Sequence, residues 1–258
     1  NANPRFGLWT YMLPFIERRQ AYDAINFTGA SAASPVNFVQ SVRNTTAFAA
    51  VVDTYICPSD LAAPPLAGSL VPYTQGSYAG MAGTVELFRF VYAPTSGRNL
   101  DICSVLDADG LFGLNRSRRL VEITDGTGPT IMIGEYARFT QDLGQPFNFW
   151  TLCGNFLDGI SGSTQSQRPQ CIAYGTGRIN DQPSTAAITP VLDKVGPFTW
   201  WTGPLVQTYG QMEFHSHHPG GVNFLFADGS VHLLKNTIDP NTFRALSTFG
   251  KGEVVSGD

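Results

Sequence analysis

Three histidines crowd one short stretch of this chain, His215, His217 and His218, and a fourth, His232, follows at close range. Imidazole is the usual side chain both for binding transition metals and for moving protons near neutral pH. In an extended segment, His215 and His217 project to the same side. With Glu213 and an approach by His232 from a partner strand, they have the donor types of a site for zinc or a similar ion. The simpler reading is a hydrogen-bonded strand entrance without metal, because no residues that would orient such ligands stand out. Asp107-Ala108-Asp109-Gly110 begins like a calcium loop. It lacks the third ligand before the glycine and the closing glutamate of an EF-hand. An irregular structural calcium site at Asp107 and Asp109 therefore stands beside the plainer reading, an Asp-Gly turn.

Glu135 closes an apolar run, Thr130 to Tyr136. A carboxylate buried there needs a partner such as an arginine or backbone N–H groups. General acid–base work would call for a second carboxylate in a cleft, and no spacing identifies one. The chain has no G-x-S-x-G elbow, no H-E-x-x-H, no phosphate-binding loop and no dinucleotide fingerprint. No catalytic residue is expected, and no cofactor beyond the calcium alternative.

The histidines lead into a hairpin. Pro219-Gly220-Gly221 is a tight bend, and Asp228-Gly229 predicts a two-residue type I′ turn. That register pairs Phe226 with Val231 and Phe224 with Leu233 on one apolar face, and Leu225 with His232 on the other. His218 is expected to fix the hairpin through the Asp228 region or a backbone carbonyl. A last helix has a clear start: Asp239 as cap, Pro240 in the first turn, and Ile238 packing on Phe243. Gly250 is expected to end it.

Near the N-terminus, Leu13 to Ile25 predicts one helix, with Phe15 and Tyr22 on a common face and Pro14 in its first turn. A second helix starts at Ser34-Pro35 and carries Phe38, Val42, Ala49 and Val52 as a stripe. Thr130 to Tyr136 predicts a buried strand. Residues 138–212 read as an elaborated, β-rich middle containing Trp150, Trp200 and Trp201.

Only 14% of the 258 residues are charged, with 27 Gly and 17 Pro. That is well below the ~25% charge of average soluble domains and suits a turn-rich extracellular protein. The net charge of −4 and the lack of a basic cluster beyond Arg116, Arg118 and Arg119 argue against nucleic acid as a partner. Four cysteines, Cys57, Cys103, Cys153 and Cys171, lack C-x-x-C spacing and favour disulfides in an oxidising compartment. Of the three connectivities, Cys57–Cys103 with Cys153–Cys171 is preferred, since each closes a loop within one region of sequence.

Several segments, in their order, resemble one bacterial family. Trp9 to Glu17 is similar to its W-x-x-x-L-P-[YF]-[LI]-E segment, and Tyr55-Ile56-Cys57-Pro58-Ser59-Asp60 resembles its short strand ending in C-P-S-D. Ser77-Tyr78-Ala79-Gly80-Met81-Ala82-Gly83-Thr84 is similar to its N-Y-x-G-x-x-G strand, with Ser in place of Asn, so the resemblance implies a strand before Cys57 and another near Tyr78. Asp109-Gly110-Leu111-Phe112, Ile123-Thr124-Asp125-Gly126-Thr127 and Gly134-Glu135 fit D-G-x-F, I-T-D-G-T and G-E. His218 to Asp228-Gly229 fits H-x9-D-G, and Gly252-Glu253-Val254-Val255 resembles the G-G-E-V-V ending. The family is that of secreted proteins made with prepilin-type leaders, whose biochemical role is largely unassigned.

The resemblance implies a single α+β domain of pilin-like architecture over 1–258, with N-terminal helices packed on an antiparallel sheet. It also implies an apolar helix ahead of the globular part, which alone would reach a membrane; the chain opens at Asn1-Ala2-Asn3-Pro4 without it. The expected role is a non-enzymatic, pseudopilin-like subunit of an extracellular filament or surface assembly, with copies of itself or other pilin-like subunits as partners. The alternative is a surface-presented solute- or glycan-binding module that stacks sugars on Trp150, Trp200 or Trp201.

Overall fold

A computed structural model describes residues 8–27, 44–60, 76–84, 109–113, 118–137, 172–173, 175, 179–180 and 214–252. Among the described residues, five strands form one sheet: β1 Tyr78–Met81, β2 Ile131–Glu135, β3 Ile172–Ala173, β4 Gly221–Phe226 and β5 Val231–Lys235. Their order is β3-β1-β2-β4-β5. Four of them pair antiparallel, and β3 lies parallel to β1 at one edge, a departure from the all-antiparallel expectation. The helices are short: α1 Leu8–Met12, α2 Arg19–Asp23, α3 Thr45–Phe48 and α4 Pro240–Ser247. The class is α+β.

Directly paired residues of neighbouring strands share a face. One face carries Ala79, Gly134 and Phe224 in line across β1, β2 and β4. It packs on α4, where the Phe243 ring lies 5.6 Å from Phe224. Phe214, Val222, Phe226 and Leu246 belong to the same core, with Met81, Ile131, Tyr136 and Ile179. Gly134 is glycine for a packing reason: a Cβ there would lie 2.5 Å from both Phe214 and Phe224. The opposite face carries Tyr78 and Glu135. Trp9 of α1 packs towards that face, 5.3 Å from Tyr55 and 6.4 Å from Tyr78 between ring centroids.

The α4 start is as expected: the Asp239 carboxylate accepts from the backbone N–H groups of Asn241 and Thr242 at 3.0 Å each. Its end is not at Gly250. Helix α4 closes at Ser247, with Thr248 as an extended cap.

The hairpin differs from its expected register. Its pairs are Phe224 with His232, Leu225 with Val231 and Asn223 with Leu233. The Phe226 N–H donates to the Ser230 carbonyl and the Gly229 N–H to the Phe226 carbonyl, so the loop has three residues, Ala227-Asp228-Gly229. Gly229 alone takes positive φ, at 89°, and Asp228 does not. A type I turn followed by a left-handed glycine replaces the type I′ turn. The single extra residue moves Val231 and Leu233 away from the Phe224 face. They are 63% and 48% exposed.

The N-terminal helix is also broken up. α1 runs into a 3-10 turn, Leu13–Ile16, and Glu17 takes a left-handed conformation (φ 61°) before α2. Pro14 lies in the first turn of that 3-10 segment, and its missing N–H suits a new start better than a helix interior. Phe15 is left 84% exposed rather than on a buried stripe. Of the second helix only α3 is described; its start at Ser34-Pro35 lies outside the described residues, and Val52 is buried after it. The strand expected before Cys57 is instead a 3-10 turn, Asp53–Tyr55. Most of 138–212 lies outside the described residues. No helix among the described residues is long and apolar enough to cross a membrane.

Candidate functional site

At one end of the sheet, the last residue of β2 meets two loops. Glu135 is 5% exposed. Its Oε2 accepts the Asn223 backbone N–H at 2.9 Å, and its Oε1 accepts Asn223 Nδ2 at 3.1 Å. The partner expected for this buried carboxylate is therefore a neighbouring strand, together with a histidine instead of an arginine. His218 Nε2 lies 3.1 Å from Glu135 Oε1.

Cys57 reaches the same place from the turn that follows Tyr55. Its Sγ lies 3.8 Å from Glu135 Oε1 and 3.6 Å from His218 Nε2. The turn is closed by Asp60 N–H donating to the Cys57 carbonyl. Cys57 is a buried free thiol whose sulfur faces Glu135 and His218, and Cys103, its expected disulfide partner, lies outside the described residues, as do Cys153 and Cys171.

Tyr78, opposite Glu135 on β1, lies beside them. Burial is the main cause that pushes its phenol up to about 12, with Cys57 and Glu135 adding to the rise. Next to this group, Asp60 Oδ2 accepts Ser77 Oγ at 2.6 Å, and Asp60 Oδ1 lies 3.6 Å from His217 Nε2. The Tyr55 hydroxyl donates to the Trp9 carbonyl at 2.6 Å, and burial raises its pKa. One polar knot thus joins the Cys57–Asp60 turn, the start of β1, the end of β2 and the His217-His218 loop.

The four histidines do not converge. His215 is buried and bridges to Tyr136, its N–H donating to the Glu135 carbonyl at 3.2 Å. His217 turns to Asp60, and His232 lies at the hairpin tip with Nε2 3.0 Å from Ser230 Oγ. His215 thus lies beside Tyr136 and His217 beside Asp60, and the segment bends at 217–220. Glu213 lies outside the described residues.

His218 does not hold Asp228. Asp228 caps its own turn: its Oδ1 accepts the Ser230 N–H at 2.8 Å and the Ser230 hydroxyl at 2.7 Å. The bond to the Ser230 hydroxyl, then that to its backbone, lowers the Asp228 pKa. Asp109 accepts both the N–H and the hydroxyl of Thr84, and pairs with Lys251 Nζ at 2.8 Å. A lysine ammonium thus lies against the carboxylate considered for calcium, and Asp107 lies outside the described residues. Trp150, Trp200 and Trp201 lie outside them too.

Among the described residues, the group with metal-ligand character is Cys57, Glu135 and His218, whose ligand atoms all lie within 4.8 Å of one another. By sequence each residue suggests a separate part: a half-cystine, a buried acid and a hairpin brace. The signal that joins them is that C-P-S-D, G-E and H-x9-D-G each contribute one member, and the Tyr78 segment contributes their neighbour.

No curated protein and no solved structure matches the chain. One family profile does, over residues 1–241. That span is most of the chain, and the protein belongs to the family of proteins of unknown function DUF1559.

Proposed function

We propose that this protein is a pilin-like structural subunit that associates with further copies of itself in an extracellular filament or surface assembly. The observation that carries the reading is the outer strand of the hairpin. Among the described strands, β5 pairs only with β4, and it presents Val231 and Leu233 to solvent on one face. An edge strand with open backbone groups and apolar side chains is a template for pairing with another chain. A second copy supplies a matching edge and covers the same two side chains. The contact of Trp9 in α1 with Tyr55 and with Tyr78 of β1 supports this reading, in which N-terminal helical material packs on the sheet.

The test is electron microscopy and sedimentation of the native full-length protein beside a Val231→Lys, Leu233→Lys variant. Both positions are exposed, so the fold is retained, and charges on the edge oppose pairing. The expected result is assemblies of the wild type and dispersed chains of the variant. Wild-type protein that stays monomeric at all concentrations overturns the reading, and glycan binding with Trp150→Ala, Trp200→Ala and Trp201→Ala controls would then be the next measurement.

A further inference from the structure

We propose that Cys57, Glu135 and His218 are three protein ligands of a zinc-class transition-metal site whose fourth position opens to solvent. The donor types point there first. A thiolate and an imidazole with one carboxylate suit zinc, cobalt or copper, while calcium and magnesium prefer oxygen alone.

The spacing points the same way. Zinc bonds of about 2.3 Å to sulfur and about 2.0 Å to nitrogen and oxygen in a tetrahedron put the ligand atoms roughly 3.3–3.6 Å apart. The three separations here are 3.1 Å for His218 to Glu135, 3.6 Å for Cys57 to His218 and 3.8 Å for Cys57 to Glu135. The triangle needs adjustments of only a few tenths of an ångström to become one face of that tetrahedron.

Burial and support fit as well. Cys57 and Glu135 are more than nine-tenths buried, while His218 is one-third exposed at the side chain, so an ion has a route in past the imidazole. Asn223 holds the Glu135 carboxylate through two hydrogen bonds, the kind of outer contact that orients metal-binding carboxylates.

A nucleophilic Cys–His–Glu relay does not fit the same geometry. Such a relay uses one ring nitrogen for the nucleophile and the other for the acid. Here Sγ and Oε1 both approach Nε2. Convergence of three donors on one point is what a cation needs. On binding, the Cys57 thiol gives its proton to solvent and the metal takes its place.

This site stands independently of the assembly reading. The test is titration of the reduced full chain with Co²⁺, followed by absorption spectroscopy and equilibrium dialysis. One cobalt per chain is expected, with a thiolate-to-cobalt charge-transfer band that zinc abolishes by displacement. Cys57→Ser should remove the band, and His218→Ala should weaken binding by about tenfold or more. His217→Ala, which faces Asp60, should leave binding essentially unchanged. Circular dichroism of each metal-free variant checks the fold, and a Cys103→Ser, Cys153→Ser, Cys171→Ser variant, in which Cys57 is the one remaining thiol, should keep the band; its loss there overturns the assignment to Cys57. Absence of the band in reduced wild type, undiminished binding by both Cys57→Ser and His218→Ala, or a native Cys57–Cys103 disulfide overturns the proposal.

Discussion

Asp228 shows how a single side chain can be read correctly as a turn residue and wrongly as to turn type. Asp-Gly suits both a two-residue and a three-residue hairpin loop, and the choice depends on which residue takes positive φ. Only Gly229 does, and a Cβ there meets nothing within 4 Å. Gly229→Ala should therefore cost about 1 kcal/mol from backbone strain alone, read as a lowered urea midpoint. Gly134→Ala should cost more, about 1–3 kcal/mol from overpacking, because its new methyl would collide with Phe214 and Phe224. Asp228 also predicts a pH dependence. Its carboxyl is held below the usual range by Ser230, so the unfolded chain binds more protons as acid is added, and stability rises with pH in that window. The contribution is fully present above the ordinary aspartate pKa of about 3.9 and is lost as pH falls through the lower folded value. Urea midpoints of wild type and Asp228→Asn should differ at neutral pH and converge in strong acid.

Among the elements, α4 was the most legible from local sequence and the N-terminal helix the least. Asp239, Pro240 and Ile238 lie next to one another and form a start signal that needs no distant partner. Asp239→Ala should cost about 1 kcal/mol, checked by thermal melting. In the N-terminal segment, the spacing of Phe15 and Tyr22 suggested one stripe, but Pro14 and the left-handed Glu17 divide it into separate turns. The buried strand ending at Glu135 was recognisable because nearly every residue in it is apolar. Its bulge between Ile131 and Ile133 left no trace in composition, since a bulge arises from pairing with β4.

At the scale of the whole molecule, α1 and the Cys57 turn cover the Tyr78 side of the sheet, while α4 covers the other. Trp9 is the fastener on that side: it is buried against Tyr55 and Tyr78, and its carbonyl accepts the Tyr55 hydroxyl. Trp9→Ala should destabilise the fold by about 3–5 kcal/mol. Hydrogen exchange should quicken first at the Ser77 amide, which donates to the Tyr55 carbonyl. Fast exchange spread evenly over the sheet would instead show that Trp9 supports the whole core and not this one junction.

Taken alone, the order of short motifs determined the family and the α+β class, because composition, turn residues and strand-length apolar runs are local properties. The hairpin's existence and the cap of α4 were likewise local. Tertiary structure decided the hairpin register, and with it which side chains of β5 meet water, because one extra loop residue reverses the face of a strand. It also decided the candidate site. Cys57, Glu135 and His218 are far apart in the chain, and each is ordinary by itself. They meet because β1, β2 and β4 pair side by side and bring the Cys57 turn and the His218 loop to the same end of the sheet.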